Sequence, residues 1–208
     1  MYLVALSMIF AVLILIANIT AVKIIAIGSE SIDAGIIAYP LTFLISDVIS
    51  EIYGRKTATK IILLGFAVNV MMVVMILIAG KIPAAPFWID QTAYDTILGS
   101  VPRIVIASML AFLVSQNHDV IAFDMWKRIT GGKYLWLRNN ASTSVSQAID
   151  TVIFVLVAFA GTYSWDTIWS MIWVTYVIKL AVAVADTPLV YLLVWKIKTV
   201  QNKDLSSL

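Results

Sequence analysis

Six long apolar stretches limit what this chain can fold into more than any other feature of its sequence. A helix rises about 1.5 Å per residue, so about 20 apolar residues cross the roughly 30 Å hydrocarbon layer of a bilayer. The stretches lie at approximately 2–24, 34–53, 57–80, 103–126, 142–162 and 167–195. They predict an all-α membrane protein, a six-transmembrane-helix bundle over residues 1–198 followed by a polar cytoplasmic tail at 199–208.

Composition argues against a water-soluble fold. Hydrophobic residues make up 62% and charged residues 12% of the chain, whereas a soluble domain is about half apolar and a quarter charged. The sequence has no cysteine and a single histidine, His118, so we expect no metal site, and we expect no cofactor. The net charge of +2 is too small to favour a nucleic-acid partner.

Basic residues predict which side of the membrane faces the cytoplasm. Ten of the fourteen Lys and Arg residues lie in the segments 55–60, 127–138 and 196–203, which six crossings place on one side. The side rich in Lys and Arg is normally cytoplasmic, so both termini are predicted to be cytoplasmic. The segment 81–102 is then an outer loop, which either acts as a lid or contains a short interfacial helix.

Ionisable residues inside the apolar stretches mark the candidate site. A charge at a helix centre costs about 2.5–3.5 kcal/mol on the insertion scale, so such residues are expected to face the bundle interior and to have a function. They are Asp47 and Glu51 in the second stretch, Asp119 in the fourth, Asp150 in the fifth, and Lys179 and Asp186 in the sixth.

A Ser-Gln-x-x-Asp pattern occurs twice, at residues 115–119 and 146–150. Residues three or four apart share a helix face, so Gln116 with Asp119, and Gln147 with Asp150, are predicted to turn toward one polar chamber. The two stretches run in opposite directions, as in an internal repeat of three helices plus three that places a binding site near the midplane.

Structural roles remain open for several of these groups. Asp47 and Glu51 could pair with Arg55 and Lys56 near the cytoplasmic end, and Lys179 could form a buried packing pair with Asp186 or Asp150. Asn69 is interpreted as a hydrogen-bonding contact between helices. Residues predicted to form gating or structural ion pairs are Glu51, Arg55, Arg103 and Lys23.

The polar groups suit a planar heterocyclic ligand. A glutamine side chain both donates and accepts, and an ionised carboxylate accepts two hydrogen bonds side by side, which matches the edge of a guanine-like ring. Aromatic stacking is expected from residues in the spans such as Tyr39, Phe43, Phe112 and Phe154. The same polar groups would also suit a cation or a proton. The sequence shows no nucleophile–base pair and no phosphate-binding loop, so we do not expect an enzyme.

Three segments resemble one known family. The run YPLTFLISDVISEIYGRK at residues 39–56 resembles the second span of the queuosine precursor transporters, also called the vitamin uptake transporter family. Residues 103–123 resemble that family's fourth span. Residues 136–140, together with Ser142, Ser146-Gln147 and Asp150-Thr151, resemble its fifth span. The resemblance extends over roughly residues 15–195.

The resemblance implies a bacterial or archaeal inner-membrane importer of 7-deazaguanine precursors of queuosine. The implied substrates are the 7-cyano base, the 7-aminomethyl base or queuine. The expected substrate-binding residues are Asp47, Gln116, Asp119, Asn140, Ser146, Gln147, Asp150, Lys179 and Asp186.

Other functions remain open at this stage. The chain could be the substrate-binding subunit of an ATPase-driven vitamin importer, with the small residues Ala17 and Ala21 forming a docking face. An intramembrane enzyme would need a catalytic constellation that the sequence lacks. A proton- or ion-coupled carrier and a homodimer are further alternatives.

Overall fold

Seven α-helices and one β-hairpin make up the part of the chain that the computed structural model describes. That part is residues 2–129 and 135–206, without the side chains of 119–120, 123–124, 126–127, 135–143, 184, 186–188, 191, 198 and 200–206. The helices are α1 (Tyr2–Thr20), α2 (Tyr39–Tyr53), α3 (Arg55–Lys81), α4 (Gln91–Leu98), α5 (Val101–Ile129), α6 (Leu135–Phe159) and α7 (Trp165–Ser206).

The six longest helices lie at the positions of the six predicted stretches. Four segments of the described chain are long and apolar enough to cross a membrane: Tyr2–Thr20, Arg55–Lys81, Gln91–His118 and Trp165–Ala183. The apolar part of α6, Ser144–Phe159, is shorter, and the 15 residues of α2 extend only about 22 Å. The chain is therefore a multi-pass helical membrane protein. Crossing by α2 and α6, and the three-plus-three repeat, remain predictions.

A β-hairpin follows α1. Strands β1 (Ile24–Ile27) and β2 (Glu30–Asp33) pair antiparallel, with Ile24 opposite Asp33, and Gly28 in the turn has a φ of 63°. The first predicted stretch, 2–24, therefore ends as a helix at Thr20. The hairpin is fixed to α7 because the backbone N–H of Ser31 donates to the Ser170 hydroxyl at 2.8 Å.

Helical structure extends into two segments that lie outside the predicted stretches. The segment 81–102 contains the short helix α4, and its position on the outer side of the membrane stays a prediction. The residues predicted as a polar tail include 199–206, which continue α7.

A single residue, Gly54, joins α2 to α3. Its φ of 83° belongs to a region that residues with a Cβ rarely occupy. Its N–H donates to the carbonyl of Ser50 at 3.0 Å, and its own carbonyl accepts from the N–H of Thr57 at 3.1 Å. The backbone N–H and carbonyl of Gly54 thus both have hydrogen-bond partners, the N–H in α2 and the carbonyl in α3.

The interior contains two apolar clusters, and the outer surface is also apolar. One cluster lies around Ala107 and Val155, between α5 and α6. The other lies around Phe10 and Ile49, where α1 meets α2. Large apolar side chains such as Leu64, Met71 and Met75 are exposed on α3. An apolar exterior around an apolar interior is expected of helices surrounded by lipid.

A short 3-10 helix, Ala34–Ile37, connects the hairpin to α2 and packs against α1. This connection brings the end of α1, the end of β2 and the start of α2 together at one end of the bundle. The candidate site lies there.

Candidate functional site

A small internal cavity lies where α1, the hairpin, α2 and α5–α7 meet. Polar or aromatic side chains on its wall are Asn18, Asp33, Tyr39, Ser108, Phe154, Thr175 and Lys179. Its volume is about 30 Å³, room for only a few water molecules. The cavity is thus too small for anything larger in this conformation.

A buried ion pair stands beside the cavity. The Lys179 ammonium is 2.6 Å from the Asp150 carboxylate, and the two side chains are 4% and 11% exposed. The Ser115 hydroxyl donates to the other Asp150 oxygen at 3.3 Å. The pair therefore joins α6 to α7 and is supported by α5. Each of the two buried charges depends on its partner, because removing one leaves the other uncompensated.

Tyr39 covers the same ion pair from α2. Its hydroxyl is 3.5 Å from Asp150 Oδ2, at the long limit of a hydrogen bond. Its ring centre is 4.7 Å from Lys179 Nζ, within the range of a cation–π contact. Phe43 packs edge-on against Tyr39, with the ring centres 4.9 Å apart. Tyr39 thus places a hydroxyl and an aromatic face on the cavity wall.

Asp33 is a second buried carboxylate on the cavity wall. It is 6% exposed, and its Oδ1 accepts a hydrogen bond from the Gly35 N–H at 3.0 Å, which caps the 3-10 helix. Burial raises the pKa of Asp33 to about 6, and the positive charge of Lys179 acts in the opposite direction. The carboxylate is therefore mostly ionised at neutral pH.

Two further polar groups complete the wall. The Asn18 amide donates to Asn69 Oδ1 at 2.7 Å, and the Asn69 amide donates to the Gly65 carbonyl at 2.9 Å. This α1–α3 contact confirms the predicted interhelical role of Asn69. The buried Thr175 hydroxyl has no hydrogen-bond partner among the described residues. A buried polar atom without a partner is uncommon, and here it lies at a cavity.

Some of the sequence-predicted site residues come together here. Asp150, Lys179 and Tyr39 meet at the cavity, and the Asp150–Lys179 pairing was one of the open alternatives. Gln147 lies one helical turn before Asp150, and its Oε1 is buried with no hydrogen-bond partner in the described chain. Ser146 instead contacts His118, with its hydroxyl 3.0 Å from Nδ1.

Other predicted residues lie elsewhere. Gln116 is exposed, and Ser115, one residue earlier in α5, faces Asp150 instead. A step of one residue turns a side chain by about 100° around a helix, so α5 is rotated from the predicted orientation. Asp47 is exposed, and Phe112 packs edge-on against Phe66. Asp119, Asn140 and Asp186 lie outside the described side chains.

The four residues predicted to form gating or structural ion pairs are also placed outside the cavity lining. Glu51, Arg55 and Lys23 are exposed. Arg103 binds the end of α6, where it donates to the carbonyls of Val157 and Ala160 at 2.7 and 2.6 Å and to the Thr162 hydroxyl at 3.2 Å. These contacts make Arg103 a C-terminal cap of α6.

Arg103→Met should lower the free energy of unfolding in detergent by roughly 1–3 kcal/mol, because hydrogen bonds to charged groups contribute about that much. Thermal denaturation of the purified protein measures the effect. Lys81→Met, at an exposed cation in the last turn of α3, is the control and should leave the melting temperature unchanged. Equal melting temperatures for Arg103→Met and the unaltered protein would show that the cap contributes nothing.

Sequence reasoning missed Asp33 and Thr175. Asp33 precedes the predicted second stretch by one residue, so its position in the sequence does not mark it as a charge within a span. The available signal was the spacing Asp33-x-Gly35, typical of an aspartate that accepts a hydrogen bond from the backbone two residues on. No comparable pattern marks Thr175.

The fold and the cavity define a polytopic helical membrane protein with an internal polar site built around a buried ion pair. Residues 33–193 match the family described as “Putative vitamin uptake transporter”. The chain belongs to this vitamin uptake transporter family. The match begins at Asp33 and includes Asp150 and Lys179.

Curated relatives are similar over much of the chain. The “Probable queuosine precursor transporter” of Bacillus subtilis (strain 168) is 38% identical over 177 residues, 84% of this chain and 77% of the relative. The “Queuosine precursor transporter” of Escherichia coli (strain K12) is 29% identical over 125 residues, 60% of this chain and 54% of the relative. No solved structure matches the chain.

Proposed function

We propose that this chain imports 7-deazaguanine precursors of queuosine across the cytoplasmic membrane, and that the cavity beside Asp150 and Lys179 is the binding site. The names of the relatives support the substrate class. The observation that carries the proposal is the ion pair, whose charged atoms are 2.6 Å apart and nearly excluded from solvent. Burying ionisable groups at the depth of the lipid is costly, and such groups are expected to have a function.

The two charges of the pair match the edge of a guanine-like base. Such an edge has a carbonyl beside two N–H donors. The carbonyl can accept from the Lys179 ammonium while the N–H groups donate to the Asp150 carboxylate. A base bound in this way separates Asp150 from Lys179 but gives each of them a hydrogen-bond partner. A purely apolar ligand would leave both charged groups without one.

Aromatic side chains can hold the faces of the same ring. Tyr39 and Phe154 both lie on the cavity wall, and they come from α2 and α6. Offset or edge-on contacts of aromatic rings contribute about 0.5–1.5 kcal/mol beyond the area that they bury. Of the aromatic residues for which the sequence predicts stacking, Tyr39 and Phe154 are therefore the proposed pair.

Transport requires the cavity to widen. A volume of about 30 Å³ is too small for a bicyclic base, so substrate entry must separate some of the helices around it. Six crossings with both termini in the cytoplasm place the end of α1 and the starts of α2 and α5 on the outer side. In that arrangement the cavity lies in the outer half of the membrane.

Uptake by the purified protein in liposomes tests this function. We expect radiolabelled 7-aminomethyl-7-deazaguanine to enter vesicles that contain the protein, without ATP or any other subunit, and to enter empty vesicles only at the background rate. The absence of protein-dependent uptake for the 7-aminomethyl base, the 7-cyano base and queuine would contradict the proposal. Uptake only with added ATPase subunits would do so as well.

A further inference from the structure

The charges of the described side chains around the cavity do not cancel. Asp150 and Lys179 neutralise each other, and Asp33 adds one more negative charge to the wall. Among the described side chains, Lys179 is the only buried cation. Lys23 and Glu30, the charged residues nearest to Asp33 in the sequence, are both exposed.

Burial of that extra charge carries a cost. The Asp33 side chain has one oxygen bound to the Gly35 N–H, and desolvation raises its pKa to about 6. A buried carboxylate is stabilised by a cation or by hydrogen-bond donors. The attraction of Lys179 is already shared with Asp150, which is 2.6 Å from the ammonium.

A second observation supports a ligand-binding role for the cavity wall. Thr175 lines the cavity, and its buried hydroxyl lacks a hydrogen-bond partner within the described chain. Lys179 follows it by one helical turn on α7, so the two belong to one helix face. A polar ligand in the cavity can supply the bond that Thr175 lacks.

We propose that the cavity selects a precursor that carries one positive charge, and that Asp33 binds its protonated amine. The inference rests on the proposed function and deepens it. The 7-aminomethyl base carries an alkyl ammonium at neutral pH, as lysine does, whereas the 7-cyano base is neutral. With the ring edge at Asp150 and Lys179, a cationic substituent balances the charge of Asp33.

Initial uptake rates of three bases test the selectivity. The bases are the 7-aminomethyl base, the 7-cyano base and the 7-hydroxymethyl base, which is nearly the same size as the aminomethyl base but neutral. We expect the wild-type protein to take up the aminomethyl base about ten- to hundredfold more efficiently than the hydroxymethyl base, as for one charge-assisted hydrogen bond. This comparison needs no variant.

Asp33→Asn should remove the preference. Asparagine keeps an oxygen for the Gly35 N–H, so the 3-10 helix stays capped. We expect the ratio of aminomethyl to hydroxymethyl uptake to fall about tenfold or more. Glu30→Gln, at an exposed carboxylate on the same strand, should change neither rate. Protein levels in the membrane fraction are measured for each variant.

The outcomes separate this inference from the function itself. Charge selectivity would be overturned if the wild-type protein took up the aminomethyl and hydroxymethyl bases equally well. It would also be overturned if Asp33→Asn reduced the uptake rates of both bases by the same factor. Either result would leave the proposed transport function intact. Wild-type uptake of none of the bases would overturn both.

Discussion

Asp150→Asn should abolish uptake of the 7-aminomethyl base in cells that cannot make the precursor. The substitution removes the carboxylate that faces the donor edge of the base, and it leaves the Lys179 ammonium, whose side chain is 4% exposed, without its charged partner. Breaking a buried pair from one side costs about 3–5 kcal/mol, so a lower membrane level is also expected. Uptake is measured per amount of protein in the membrane.

The double variant Asp150→Asn with Lys179→Met separates binding from folding. With both charges of the pair removed, neither partner is left behind as an uncompensated charge, and the membrane level should return toward that of the wild type. Uptake should stay at background because both binding groups are gone. Asp90→Asn, at an exposed residue, is the control and should transport normally. Normal uptake by the double variant would show that the ion pair only holds the helices together.

Gly35→Ala should strongly reduce both the amount of folded protein and its uptake activity. A Cβ at this position would lie 2.6 Å from the Ala17 carbonyl oxygen and 2.8 Å from Asp33 Oδ1, so α1 would have to move away from the 3-10 helix. Forcing an extra carbon into a packed interior costs about 1–3 kcal/mol. Because Ala17 and Asp33 both line the cavity, the same displacement deforms the site.

Gly80→Ala is the matched control for Gly35→Ala. Gly80 lies within α3, and its added Cβ would be 3.4 Å from the nearest atom, on the Tyr94 ring. Alanine is favoured over glycine in a helix by about 1 kcal/mol, so the variant should be as stable as the wild type or more stable. Membrane levels, melting temperature in detergent and uptake are compared for the two variants. Similar values for both would mean that the contact of α1 with Gly35 is unimportant.

The helical architecture could be predicted from the sequence because apolar length is a strong signal. Each of the six stretches corresponds to a long helix. The hairpin at residues 24–33 was harder to predict, because a run such as Ile24-Ile25-Ala26-Ile27 suits the end of an apolar helix as well as a strand. The glycine-containing turn at Gly28-Ser29 was the remaining signal.

The site could be predicted only in part, for a geometric reason. Buried charge identified Asp150 and Lys179, since such residues are rare inside apolar stretches. Sequence spacing shows which residues share a face of one helix but not which way that face turns in the bundle. The rotation of α5 that presents Ser115 rather than Gln116 is set by packing. Asp33 is brought to the cavity by the hairpin.

A structure with the 7-aminomethyl base bound tests most directly whether the cavity beside the ion pair is the transport site. We expect a wider cavity that contains the base, with the ring edge within hydrogen-bonding distance of Asp150 and Lys179 and the amine near Asp33. A base bound elsewhere, for example beside Gln116, with the Asp150–Lys179 pair intact and the cavity closed, would contradict this account.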